Sequence, residues 1–502
     1  MFSNQKYQTI LAVIVSIGLF FLFAYNLDRT NFTKLITLYL GLFIPFLYFM
    51  KKEKMNFPFL VAIAILFRLV FLFTIPNLSQ DFYRFIWDGR MIFEGLNPYI
   101  SLPQTFIEQR NFPVNQAVDL YAGMGNLNGS HFTNYPPINQ LNFLIAAIFS
   151  NSSILGAVIV LRLQIILADI GIIYFGKKIL ERLNLPIHHI FLYALNPFII
   201  IELTGNLHFE SVMLFFLMWS LYLLLQKKWL WAAVVLGISV SVKLIPLLFL
   251  PLFFQWFKNQ TVIANYHSEL AEEKVKQSHL DKEITSSLTP RNDTKLSFLR
   301  RQESKHKRRW IPAFAGMTKL ILFSLIVIVV NIILFLPFLS SELISSYTNS
   351  VGLWFLNFEF NASLYYIARE IGYLFRGWNE IAIIGKILPA IAVVFLAIIT
   401  FFRKNKSPQQ LITALLIGLS FYYFTTTTMH PWYLSTLVLL SVFTKYRYAI
   451  VWSVVMILSY QAYANNPWRE NLWFVGLEYS FVFGVLTYEA IKLRESKLTT
   501  NN

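Results

Sequence analysis

The sequence contains no cysteine among its 502 residues, and only 14% of its residues are charged. The absence of cysteine excludes disulfide bonds, thiol catalysis and cysteine-ligated metal sites. Soluble domains carry about 25% charged residues, so the scarcity of charge argues against a soluble protein. The patterns GxxxxGK[ST], GxGxxG and HExxH are also missing, which leaves nucleotide-phosphate loops and zincin sites without support.

The chain is instead rich in apolar sequence, with 56% hydrophobic residues, 17% aromatic residues and a mean hydropathy of +0.55. The apolar residues come in runs of roughly 18 or more, the length that crosses a bilayer. The sequence therefore predicts an all-α, polytopic transmembrane bundle of about 12–14 helices. The first run, Thr9 to Tyr25, has no evident small-residue cleavage site, so we interpret it as a retained helix rather than a signal peptide.

Positive charge is sorted along the chain. The net charge of +16 would suggest a nucleic-acid partner in a soluble protein. The positive-inside rule explains it more simply, and we expect no nucleic acid. Basic runs predict cytoplasmic loops at 51–54, 177–178, 227–228, 403–406 and 445–447. Polar and aromatic clusters fall on the extracytoplasmic side, at 79–99, 131–137, 205–210, 354–361, 429–433 and 465–470. Such sorting indicates a binding or catalytic face on that side.

The composition divides the chain into three parts: an N-terminal membrane part (1–257) with a large first outer loop (76–140), a polar and basic stretch (258–318), and a C-terminal membrane part (319–502). Within the middle stretch, the segment Phe298 to Thr318 resembles translated copies of bacterial intergenic repeat elements. We expect it to be a cytoplasmic insertion, largely disordered and without a catalytic role. Residues 229–257 fit either two short helices that turn near Lys243 or one bent helix.

The most informative stretch is the start of the first outer loop, Ser79 to Tyr99. Asp81, Arg84 and Asp88 fall at i, i+3 and i+7, so a helix places them on one face. This pattern predicts an interfacial helix with aromatics at headgroup level and charges facing water or a cavity. The alternative is an amphipathic connector whose charges form solvated salt bridges.

A membrane enzyme that faces away from cytoplasmic ATP needs a donor that carries its own activation, as a polyprenyl-phosphate sugar does. The reaction needs a carboxylate as general base and cations for the phosphate. The candidate carboxylates are Asp81 and Asp88, with Glu210 and Glu359 behind them. The candidate substrate-binding residues are the cations Arg84, Arg90, Lys243 and Arg469, the aromatics Trp87, Tyr99, Trp432 and Trp468, and the imidazoles His208 and His430.

Two of these candidates carry a more detailed expectation. Ser79 is a candidate N-cap, so Asp81 should lie in the first helical turn, where the helix dipole and Arg84 favour its ionised form. Asp88 is expected to orient Arg84 as an i, i+4 pair. Lys243 lies in an apolar stretch, where a lysine costs about 2.5–3.5 kcal/mol, so it either reaches the interface or binds a phosphate. No D-x-D is present, and we expect neither a metal nor a cofactor.

Several segments together resemble a known family. Along the chain, the run Asp81 to Arg90 is followed by Gly95 to Tyr99, Tyr135 to Pro137, Asn196-Pro197, Gly205 to Glu210, Val242 to Pro246 and His430 to Tyr433. This set resembles the bacterial integral-membrane mannosyltransferases of the GT-C fold, near glycosyltransferase family 87 and the GPI-mannosyltransferase-like proteins. The resemblance covers nearly the whole chain outside 258–318.

The resemblance implies an enzyme of the bacterial inner membrane whose active face is extracytoplasmic. Such an enzyme moves a sugar, most commonly mannose, from a polyprenyl-phosphate donor to a lipid-linked or glycan acceptor, among membrane lipids. The early aspartate of the first outer loop serves as base in this family, and that role maps onto Asp81. Two alternatives stay open: a transporter or flippase, which predicts internal repeats and midplane charge pairs, and a polymerase of lipid-linked glycans.

Overall fold

The structure is a computed structural model that describes residues 2–54, 56–150, 152–260, 296–356 and 358–499. The regular secondary structure of these ranges is helical, apart from one isolated parallel bridge between Phe360 and Thr428. The predicted all-α class is therefore confirmed.

Six of the described helices are long and apolar enough to cross a membrane: Gln5–Asn26, Phe32–Lys52, Ile154–Arg182, Gly316–Phe338, Ile381–Phe402 and Leu472–Ser496. A seventh candidate is the pair Ile187–Ala194 and Pro197–Gly205, which bends by 50°. The bend lies at Asn196, which precedes a proline, is extended, and caps the next turn by accepting from the Phe198 N–H at 3.0 Å. These helices confirm a polytopic bundle.

Six shorter apolar helices occupy most of the other positions at which the sequence suggests apolar helices: Phe57–Leu69, Pro137–Ser150, Glu210–Leu225, Trp229–Val240, Pro431–Ser441 and Tyr448–Ala464. Helices of 10–17 residues extend about 15–26 Å. That is less than the roughly 30 Å hydrocarbon core of a bilayer. The total of 12–14 spans therefore stays a prediction.

The first outer loop contains three helices, Asp81–Phe93, Pro103–Glu108 and Ala117–Gly129. The first of them confirms the predicted helix, and Gly95 follows it at a positive φ of 76°. It packs closely on Pro137–Ser150, because a Cβ added at Gly89 would lie 2.2 Å from the backbone oxygen of Phe143. Neighbouring helices cover nearly every face, so most of its side chains are buried in protein rather than placed at headgroup level.

The structure also describes parts of three segments that the sequence left less certain. Residues 229–257 form two helices, Trp229–Val240 and Ile245–Phe253, which confirms the turn near Lys243. The helix Leu296–Phe335 begins within the predicted insertion 258–318 and continues into the next span. The disorder of that insertion stays a prediction. Residues 261–295 of that stretch lie outside the described residues. Two helices, Leu343–Leu356 and Leu364–Arg376, flank or overlap the predicted outer cluster 354–361.

One end of the bundle, here called the basic end, carries the basic residues at 177–178, 227–228 and 403–406. Arg182 Nη1 donates to the Leu225 carbonyl at 3.0 Å, and Gln409 Nε2 donates to the Leu183 carbonyl at 3.4 Å. These contacts bring the lysines at 177–178 and 227–228 close to the basic run at 403–406. The helix Phe32–Lys52 ends in the basic pair Lys51 and Lys52. Lys177 Nζ lies 4.8 Å from the centroid of the Phe57 ring, which brings this pair to the same end.

Candidate functional site

A cavity of about 500 Å³ lies where the first outer loop meets the outer ends of later helices. This volume falls within the usual range of small-molecule sites. Its charged lining residues are Arg29, Asp81, Arg84 and Lys243. Its aromatic lining residues are Phe132, Tyr135, Phe358, Tyr422, Trp432, Tyr433, Tyr463 and Trp468. The charged residues all precede residue 258, whereas both tryptophans follow it.

Asp81 is half-buried at the start of its helix, with its carboxylate in the cavity. Its Oδ1 accepts from Asn128 Nδ2 at 3.2 Å. The N-cap is Gln80, whereas the expected cap, Ser79, accepts from the Asp81 N–H at 3.3 Å. Burial raises the pKa of Asp81, and this effect outweighs the lowering by Lys243 and Asn128. The expected stabilisation of its ionised form by Arg84 is therefore not found.

Arg84 instead binds Asp88, as the i, i+4 spacing predicts. Its Nε lies 2.7 Å from Asp88 Oδ1, and its Nη1 donates to two carbonyl oxygens of the same loop at 2.7 and 2.8 Å. Asp88 is fully buried and also accepts from Gln140 Nε2 at 3.1 Å. Arg84 Nη2 has no hydrogen-bond partner within the described part of the chain. Arg84 lines the cavity, whereas the candidate catalytic residue Asp88 does not. The role of Asp88 in orienting Arg84 stays a prediction.

Lys243 lines the same cavity. Its Nζ lies 2.5 Å from Glu210 Oε1, and the two side chains are 17% and 3% exposed. Lys243 thus meets the cost of its apolar surroundings by pairing with a buried carboxylate rather than by reaching the membrane interface.

Trp432 forms a flat part of the cavity wall, and two imidazoles stack on it. The ring of His208 lies 3.8 Å and that of His430 4.5 Å from the indole, with interplanar angles of 19° and 6°. Burial, reinforced by the charge of Lys243, lowers the pKa of His430 to about 3 and that of His208 well below its usual range. Both rings are therefore neutral at pH 7, and they hold Trp432 in one orientation. The part of the indole that lines the cavity suits contact with a sugar ring.

Residues 4–258 match the model of the MptA_B family, described as alpha-(1->6)-mannopyranosyltransferase, N-terminal domain. The match covers just over half of the 502 residues. The chain belongs to this family. It is accordingly a membrane mannosyltransferase, as the resemblance of its motifs implies. No curated protein and no solved structure matches the chain.

Within this mannosyltransferase, the matched region holds Asp81, Arg84 and Lys243, whereas Trp432 lies outside it. The match ends at residue 258, next to the boundary predicted at 257. That division of the chain stays a prediction.

Five predicted binding residues of the mannosyltransferase do not line the cavity: His208 stacks on its wall residue Trp432, and four others lie elsewhere. Trp87 is buried and packs on Phe106 with ring centroids 6.3 Å apart. The hydroxyl of buried Tyr99 donates to the Tyr135 carbonyl at 2.7 Å. The other two are Arg90, which donates to the Asn115 carbonyl at 2.5 Å and to Gln116 Oε1 at 3.2 Å, and Arg469, which is exposed. Trp87, Tyr99 and Arg90 each contact other residues of the outer loop, so they stabilise it.

Sequence reasoning missed other lining residues of the mannosyltransferase. Arg29 is half-buried and lies over the ring of Tyr463, 5.2 Å from its centroid. Asn128 donates to Asp81 from the helix Ala117–Gly129. The available signal for Arg29 was its position in the first outer turn, on the same predicted side as the other clusters.

The described residues contain no group of three or more His, Asp or Glu side chains that could hold a metal ion. His208 Nε2 comes no closer than 4.0 Å to Glu202 Oε2. The expectation of a metal-free and cofactor-free site stays a prediction.

Proposed function

We propose that this mannosyltransferase transfers a mannosyl group from a polyprenyl-phosphate donor to a hydroxyl of a lipid-linked or glycan acceptor. One observation supports this most: a single cavity is lined by one carboxylate, three cations and two tryptophans among the described residues. The cations suit the phosphate of the donor, and the tryptophans suit its sugar.

Each charged residue of the cavity has a role in this reaction. The acceptor oxygen attacks the anomeric carbon, and the bond from that carbon to the phosphate oxygen breaks. The electron pair leaves with the polyprenyl phosphate, where Arg29, Arg84 and Lys243 stabilise the charge. The acceptor proton goes to Asp81, and burial makes this carboxylate more basic than an exposed one.

The stereochemistry follows from the count of carboxylates. Asp81 is the only carboxylate that lines the cavity among the described residues, so no second carboxylate is available as a nucleophile. A single displacement inverts the anomeric centre. Because the family description names an alpha-(1->6) product, we infer a β-linked donor phosphate and a 6-hydroxyl acceptor.

The positions of the basic residues support an extracytoplasmic cavity. Arg29 lies in the cavity and precedes the helix Phe32–Lys52, whose last turn carries Lys51 and Lys52. The cavity and the basic end thus lie at opposite ends of this helix. By the positive-inside rule the basic end faces the cytoplasm, which orients the cavity to the outer side of a bacterial inner membrane.

The test is transfer by the purified protein, with a panel of polyprenyl-phosphate sugars in both anomeric forms and linkage analysis of the product. Asp81→Asn is expected to lower the transfer rate by about 10²–10⁴-fold while the donor still binds. Asp119→Asn is the matched control, because Asp119 is exposed on the same outer loop and lies outside the cavity.

Three results would contradict the proposal. Absence of transfer from every donor, with movement of lipid-linked sugar across vesicles, would indicate the flippase alternative. Normal transfer by Asp81→Asn would exclude this residue as the base. Formation of a polymer from a preassembled repeat unit would favour the polymerase alternative.

A further inference from the structure

Glu210 is a buried carboxylate behind the cavity wall that the mechanism above does not use. It is the first residue of the helix Glu210–Leu225, and its side chain is 3% exposed. Its Oε1 accepts the hydrogen bond from Lys243, whereas Oε2 has no partner within the described residues. Glu210 does not line the cavity, so it cannot itself receive the acceptor proton.

The pair leaves Lys243 with unused donors. A lysine ammonium has three N–H donors. Within the described part of the chain, Nζ of Lys243 makes one hydrogen bond, to Glu210. Its contact with Glu210 fixes a long and flexible side chain, and its remaining donors are available to a ligand in the cavity.

We propose that Glu210 is a positioning residue, which holds the Lys243 ammonium in the cavity wall so that its remaining N–H groups meet the phosphate of the donor. This inference rests on the function proposed above. The negative charge of Glu210 also offsets that of Lys243, which would otherwise favour the anionic form of Asp81 more strongly. Glu210 therefore serves both phosphate binding and the basicity of Asp81.

The environment of Asp81 contains further groups that a pH study must consider. Asn128 hydrogen-bonds to it, and electrostatic interactions couple it to Lys243, Glu210, Tyr135, Tyr433 and Tyr463. The other ionisable groups that line the cavity are Arg29, Arg84, His131, His430 and Tyr422. Of all these groups, Glu210 is the one that binds Lys243 directly.

The experiment compares Glu210→Gln, Glu210→Asp, Lys243→Met and the double variant Glu210→Gln/Lys243→Met. The substrate is the β-linked mannosyl polyprenyl phosphate with a mannoside acceptor. Glu210→Gln should raise the donor KM about tenfold, because the ammonium loses a charge-assisted hydrogen bond that fixes it. The acid limb of kcat/KM should move down by about one pH unit, because the unshared charge of Lys243 lowers the pKa of Asp81.

The other variants separate positioning from a general structural role. In the Lys243→Met background, Glu210→Gln should change the donor KM less than about twofold, because the partner through which it acts is gone. Glu210→Asp keeps the charge, so its acid limb should stay at the wild-type pH while the donor KM rises moderately. If Glu210→Gln does not fold, the donor KM of Glu210→Asp decides alone, and a wild-type KM would overturn the proposal.

The remaining outcomes distinguish failure of this inference from failure of the proposed function. Unchanged donor KM and acid limb in folded Glu210→Gln, with normal wild-type transfer, would overturn this inference alone. Equal effects of Glu210→Gln with and without Lys243 would show that it acts by another route. Absence of transfer by the wild-type protein would overturn the proposed function and this inference together.

Discussion

Replacing Asp88 by asparagine should destabilise the protein far more than the same change at Asp81, seven residues earlier on the same helix. Asp88 is fully buried, 2.7 Å from Arg84 Nε, and it accepts from Gln140 at 3.1 Å. Asp88→Asn leaves the buried guanidinium of Arg84 without its counter-charge. Breaking one partner of such a pair costs about 3–5 kcal/mol. Asparagine retains an acceptor oxygen, so we expect about 3 kcal/mol, the lower end of that range.

Asp81→Asn should affect transfer rather than stability, the opposite of Asp88→Asn. Burial raises the pKa of Asp81, so at neutral pH its charged form is less favourable in the folded than in the unfolded chain. Removing the charge should leave stability unchanged or slightly higher. Asp81→Asn should therefore lose transfer at normal stability, whereas Asp88→Asn should lose stability first.

The assay is thermal unfolding in detergent, followed by the fluorescence of the 12 tryptophans. The double variant Arg84→Met/Asp88→Leu removes both buried charges and should recover most of the stability lost in Asp88→Asn, without recovering donor binding. Asp88→Asn with a wild-type unfolding midpoint, or Asp81→Asn with the larger loss, would refute this assignment of roles.

Four further predictions follow from the site and its supports. The acid limb of the pH profile of kcat/KM should have its midpoint above the ordinary aspartate pKa of about 4. The reason is that the pKa of Asp81 is raised, and activity is lost as the pH falls through that pKa. A midpoint below about pH 4 would contradict this. Gly89→Ala should destabilise the protein by about 1–3 kcal/mol, because its Cβ would meet a backbone oxygen at 2.2 Å; an unchanged unfolding midpoint would argue against the close contact. Arg29→Gln should raise the donor KM about tenfold at an unchanged unfolding midpoint; an unchanged donor KM would remove this cation from the phosphate site. In this cysteine-free chain, a cysteine at exposed Asn111 should react with an impermeant maleimide outside the cell and one at exposed Lys228 should not; the reverse labelling would invert the orientation.

Local patterns in the sequence predicted the parts of the structure that local contacts determine. The helix Asp81–Phe93, the turn at Gly95 and the pairing of Arg84 with Asp88 all depend on residues within a few positions of each other. The turn near Lys243 likewise follows from polar groups interrupting an apolar run.

The environment of a side chain could not be predicted in the same way. Trp87 and Trp432 are equally plausible sugar platforms in the sequence, but Phe106 covers the first and the second lies open to the cavity. Arg29 was missed because its partner, Tyr463, is distant in sequence. Amphipathic periodicity identifies a face of a helix, whereas tertiary packing decides whether protein, lipid or substrate meets that face.

The cavity draws its charges from before residue 258 and both of its tryptophans from after it. The groups that suit the leaving phosphate and the groups that suit the sugar ring are thus encoded in separate halves of the gene. Substitutions around Trp432 and Trp468 would therefore retune the choice of sugar without altering departure of the lipid phosphate. Libraries confined to the C-terminal half are the economical route to variants that transfer other hexoses.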